Sequence, residues 1–268
     1  MCQRIHIFSV RTGFLTLITW LLASTACHAQ SSTQVVRIQG PITAQTQLEL
    51  AGQLGNRSNP RALIEDPEPA GLIVLLNSPG GDGEAAIAIG RLLRQSKAHI
   101  FVVGRCDSAC VFILAGGVVR AGIPNALGVH AGRLTQTTPE GRITREIDAR
   151  QNLNDAFRLT DFNSQVRRYL RDMGIGHGLL DLMLAHQTPS VYRLSPDEAI
   201  RYHIYGFDTD YLNQRVAFYN KAYERLNIHQ STLLNRTLSV PVKCRGNIAN
   251  SAAFILCYQQ VIQNTPNP

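Results

Sequence analysis

The reading turns on "LIVLLNSPGGDGEAAIAIGRLLRQSKAHIFVVG", residues 72–104. Its first six residues, "LIVLLN", form an apolar run without alternation, as expected of a strand buried on both faces. A Ser-Pro-Gly-Gly turn follows, where glycine admits backbone conformations closed to other residues. "GEAAIAIGRLLRQS" (83–96) then carries Ala, Ile and Leu on one helical face. "HIFVVG" (99–104) is a second buried strand. Strand, helix and strand within about 30 residues predict a parallel crossover unit in an α/β fold.

The same alternation extends both ways. "VVRIQG" (35–40) reads as a strand and "TAQTQLELAGQL" (43–54) as a helix. "NRSNP" (56–60) and "EDPEPAG" (65–71) are loop punctuation. "ACVFILAGG" (109–117) is a short helix closed by glycines, and "ALGVHAG" (126–132) a strand. After Gly132 the texture changes. "RLTQTTPEGRITREI" (133–147) predicts a β-excursion about a Pro-Glu-Gly turn. Residues 148–173 are polar with apolar residues at helical spacing, and 178–187 form another helix. Ser195, Pro196 and Glu198 make a capping box for a helix at 194–206. Beyond Asp208, helices are expected around 216–226 and 248–262.

Three places could do acyl chemistry, which needs an activated hydroxyl, a base within reach and donors for an oxyanion. Gly80 and Gly81 could turn a peptide N–H toward a substrate carbonyl, or simply make a strand-to-helix turn. Ser108 lies between a buried strand and an apolar helix. There it is a candidate nucleophile beside the N–H of Ala109, or an ordinary N-cap. His130 lies within an apolar strand, as a base or as a satisfied core histidine.

Taken together, "LIVLLNSPGGDGEAAIAIGRLL" and "CDSACVFILAGGVVRAGIPNALGVHAG" resemble the Clp protease proteolytic subunit and its relatives in the ClpP/crotonase superfamily. The resemblance covers about residues 35–206. It implies an α/β fold of repeated β-β-α units wound as a spiral with a parallel sheet, followed here by a helical C-terminal extension (208–268). It implies Ser108 as nucleophile, His130 as base, and the N–H groups of Gly81 and Ala109 as oxyanion hole. Residues 133–175 resemble the family's handle, which packs against neighbouring subunits, so a homo-oligomer is implied. The substrate implied is a peptide or protein, without cofactor or metal. One departure stands out. The family's acid falls, in "SVYRLSPDEA", on Val191, with Ser190 beside it. Asp197 and Glu198 are already accounted for by the capping box. A Ser–His dyad oriented by a hydroxyl or a carbonyl is therefore expected rather than a full triad.

The first 29 residues read as a secretory signal peptide: Arg4 and Arg11, an apolar run over 13–25, then small residues at Cys27 and Ala29. The apolar run is shorter than the ~20 residues of a spanning helix. Cleavage after Ala29 would remove two of the 26 Lys+Arg and none of the 19 Asp+Glu, lowering the net charge from +7 to +5. The basic residues are scattered, which argues against nucleic acid as a partner. Four of the six cysteines remain: Cys106, Cys110, Cys244 and Cys257. Three pairings are open, and the local one, Cys106–Cys110 with Cys244–Cys257, is preferred over a zinc site on spacing. A periplasmic or secreted location is expected, and with it no ATP-driven unfoldase partner.

Overall fold

The apolar runs become the centre of a sheet buried on both faces. The computed structural model describes residues 33–55, 70–186, 190–222 and 227–264. The signal peptide expected at 1–29 and the loop "NRSNP" lie outside the described residues. In the first half, β1 (Gln34–Gln39), α1 (Ala44–Gly55), β2 (Leu72–Ser78), α2 (Gly83–Gln95), β3 (His99–Asp107) and α3 (Cys110–Ala115) alternate as expected. Then come β4 (Val119–Gly122), β5 (Leu127–Val129), the antiparallel pair β6 (Leu134–Thr137) and β7 (Ile143–Ile147), α4 (Leu153–Asp172) and α5 (Gly178–Ala185). The chain closes with β8 (Tyr192–Arg193), α6 (Pro196–Arg201), β9 (Gly206–Phe207), α7 (Thr209–Ala222), α8 (Gln230–Lys243) and α9 (Ser251–Gln263).

The main sheet runs β1-β2-β3-β4-β9, with β5 on β3 and β8 on β5. The pairs among β1 to β5 are parallel, while β8 and β9 are antiparallel to their neighbours. The fold is therefore mixed α/β on a mostly parallel sheet. Alternate residues of each strand feed opposite faces. Leu72, Val74, Leu76, Ile100 and Val102 face α1 to α5. Ile73, Leu75, Phe101, Val119 and Ala121 face α7, α8 and α9, where Phe101 meets Tyr258 with ring centroids 5.0 Å apart. The capping box on α6 is present. The tail holds three helices among the described residues where two were expected. Cys244 and Cys257 are disulfide-bonded, Cα atoms 5.8 Å apart, tying the end of α8 to α9.

His99 marks where the tail grips the sheet. Its buried ring shares hydrogen bonds with Tyr258 (Nδ1, 2.9 Å) and Tyr211 (Nε2, 2.7 Å). Burial, and then the Arg215 guanidinium, hold its pKa well below the usual imidazole range. The folded protein thus keeps His99 neutral, while the unfolded chain takes up a proton near pH 6.5. Its contribution to stability is present above that pH and is lost as pH falls toward the folded-state value. Between pH 7.5 and 5.5, on either side of that unfolded-state value, the protein should lose stability through this one group. Urea unfolding at the two values is expected to show that loss in the wild type and not in His99→Gln.

Candidate active site

β3 changes partners along its length. His99 to Val102 pair with β4, whereas Cys106 and Asp107 pair with β5. The carboxyl end of β3 therefore opens where two neighbours diverge, the usual place for a ligand crevice in such sheets. A bulge between β2 and β3 sits beside it, and the side chain of Asn77 repairs it by accepting from Arg105 N–H (3.0 Å). Ser78 Oγ donates to Gly40 O (2.7 Å) and accepts from Gly80 N–H (3.1 Å), fixing the Pro-Gly-Gly turn to the end of β1. Asp82 caps α2 by accepting from the N–H groups of Glu84 and Ala85. Each polar residue of "NSPGGD" thus builds the turn.

Ser108 follows β3 with φ of 56°, in the left-handed region. A side chain there costs about 1–3 kcal/mol and persists only where the surroundings enforce it. Here the enforcement is visible. Ser108 N–H donates to Gly128 O (2.7 Å). A Cβ on Gly80 would stand 2.6 Å from Asp107 O and 2.7 Å from Ser108 Cβ, so the turn needs a bare glycine against it. Cys106 and Cys110, both fully buried, are disulfide-bonded across the turn with Cα atoms 5.1 Å apart. The N-cap reading of Ser108 is overturned. Ala109 occupies the cap position of α3, no side chain caps the helix, and the Ser108 hydroxyl makes no hydrogen bond among the described residues. A left-handed residue is not placed to cap, which leaves the hydroxyl free.

The strand β5 ends at Val129, so His130 lies just past it rather than within it. Its ring is buried, and Nδ1 approaches Ala131 O at 2.7 Å. A carbonyl only accepts, so Nδ1 carries the proton and Nε2 is the basic nitrogen. Gly81 (φ 145°) bridges Ile42, but the bridge uses Gly80 O and Asp82 N–H and leaves Gly81 N–H outside it. The N–H groups of Gly81 and Ala109 have no acceptor among the described residues. Ser108, Ala109, Gly81 and His130 line one cleft of about 740 Å³, walled by the β6–β7 hairpin and by Leu159 and Phe162 of α4. No hydrogen bond joins the Ser108 hydroxyl to the His130 ring.

Among the described residues no carboxylate takes the acid's place. Val191 is exposed and lies against Gly128. Glu198 accepts from Tyr192 OH (2.6 Å) and from Ser195, and those hydrogen bonds, Tyr192 first, hold its carboxyl below the usual range. Asp107, the residue before Ser108, is engaged with Arg193 instead. Asn77, Ser78, Asp107 and Arg193 were not among the expected site residues. The acid ending an apolar strand directly before Ser108 was the one readable signal.

No protein-family model matches this chain, and no curated protein does. Among solved structures it is similar to a mutant of ClpP1 from Listeria monocytogenes, at 18% identity, with 66% of this chain and 92% of that chain covered and a TM-score of 0.46.

Proposed function

We propose that this chain is an exported, ATP-independent serine hydrolase of the ClpP/crotonase superfamily, its strand–helix units wound as that superfamily's spiral, acting on peptides or proteins. The observation that carries the reading is Ser108 itself. Its hydroxyl is uncapped in an enforced left-handed turn, in one cleft with a histidine whose basic nitrogen is Nε2. Ser108 Oγ attacks the substrate carbonyl while His130 Nε2 takes its proton. The oxyanion receives hydrogen bonds from Gly81 and Ala109 N–H. His130 then returns the proton to the leaving amine, and water repeats the sequence on the acyl-enzyme. Ala131 O sets the tautomer of the ring but offers the imidazolium less than a carboxylate would. In chymotrypsin-type sites, losing that contribution lowers kcat by about 10⁴, so a slow enzyme is expected.

Two buried disulfides support export, as does the expected signal peptide. Among the described residues no helix is long and apolar enough to cross a membrane. Self-association through residues 133–175 belongs to the same reading. A second reading, a catalytically silent binding protein, draws on the missing Ser108–His130 hydrogen bond. Treatment with a fluorophosphonate followed by peptide mapping separates the two. One adduct per chain on Ser108, together with casein cleavage, is the expected result. Neither adduct nor cleavage would leave the silent reading.

A further inference from the structure

Asp107, Gly128 and Arg193 stand side by side across three strands: Asp107 pairs with Gly128 in register, and Gly128 pairs with Arg193. The Asp107 carboxylate and the Arg193 guanidinium meet over the middle residue through two parallel bonds, Nη1 to Oδ1 at 2.5 Å and Nη2 to Oδ2 at 3.1 Å. A side chain at 128 would run into Asp107 Oδ1, with Arg193 Nη1 3.0 Å away. The bare α-carbon of Gly128 is what lets the pair form. The row lies immediately beside the two chemical groups. Ser108 follows Asp107, and His130 is two residues beyond Gly128.

The strands joined here are short. β5 shares only two residue pairs with β3 and two with β8. So few ladder contacts fix the histidine strand weakly against the nucleophile strand. A forked Arg–carboxylate contact adds direction as well as attraction. Exposed ion pairs contribute little, but the Asp107 side chain is only 10% exposed. Removing Arg193 leaves a largely buried charge unpaired.

We propose that the Asp107–Arg193 pair, laid over Gly128, is the positioning element that holds the Ser108 turn against the His130 strand in this site. It acts between strands, where an acid on the histidine ring would act directly. The inference rests on reading Ser108 and His130 as the catalytic pair, and its test has an arm independent of activity. Amide exchange by NMR is compared in the wild type, Arg193→Ala and Arg193→Lys. Exchange at the Ser108 and Cys106 amides, which donate to Gly128 O and Ala126 O, should rise about tenfold or more in Arg193→Ala. It should rise less in Arg193→Lys, which keeps charge without the fork, while Ile100 at the sheet centre stays unchanged. The fluorophosphonate rate per folded molecule should fall by up to about 10²-fold. Unchanged exchange at Ser108 and Cys106 in both variants overturns the proposal, and so does raised exchange with an unchanged labelling rate. Raised exchange in a protein whose wild type never takes the probe upholds the strand clamp and removes the hydrolase reading. Should Arg193→Ala fail to fold, Arg193→Lys alone decides.

Discussion

The Ser108→Ala/His130→Ala double variant is expected to lose no more activity than either single variant. In the proposed dyad, nucleophile and base act on one bond, so removing either would remove both contributions, and such losses do not add. Each single variant should lower kcat about 10²-fold, because the missing acid already takes about 10⁴ of the roughly 10⁶ that a full triad supplies. Residual turnover would come from the proposed oxyanion donors, the backbone N–H groups of Gly81 and Ala109, which survive both substitutions. Steady-state kinetics on a peptide ester, with each variant's folding checked by thermal unfolding, supplies the measurement. Fully additive losses would show that the two side chains act separately, and the dyad would be wrong.

Gly80→Ala should be the most damaging change outside the dyad. Gly80 holds a φ of 94°, which a side chain rarely adopts, and its Cβ would overlap the Asp107 carbonyl and the Ser108 side chain. Backbone strain alone is worth about 1–3 kcal/mol, and the overlap pushes directly on Ser108. Loss of measurable fluorophosphonate labelling is expected, along with a lower urea midpoint. Gly174→Ala is the control. Its φ of 72° is similarly positive, but a Cβ there meets nothing within 4 Å. That variant should lose stability of order 1–2 kcal/mol and keep its labelling rate. Equal labelling in the two variants would remove the steric argument.

The strands and helices of residues 34–115 were legible because burial on both faces forces continuous apolar runs, and the glycine turns between them are distinctive. The antiparallel hairpin and the capping box were legible for equally local reasons. β4, β8 and β9 were not, since two to four residues carry no periodicity. α8 was hidden as well: its outer face holds Ser, Thr and Asn, and Pro241 in its last turn reads as a break. At the site, the residue types of Ser108 and His130 could be read from the sequence, but the left-handed turn could not. That turn depends on Gly128 O and Gly80, whose partnership exists only after the strands have paired. The Asp107–Arg193 contact bridges 86 residues, and no local pattern announces it.

The covering of the second sheet face by α7, α8 and α9 bears on biogenesis. A chain emerging from the ribosome has made Ser108 and His130 long before the helices that shield Ile73, Leu75 and Phe101. Until those helices arrive, β3 has one greasy side in water, and the turn at its end has no rigid support. If the proposed function holds, the nascent chain carries Ser108 and His130 before the turn that positions them is supported, and would be inactive until then. On that reading, activity would wait on the last sixty residues. A truncation just before Asp208 should leave a species that binds chaperones and does not turn over substrate.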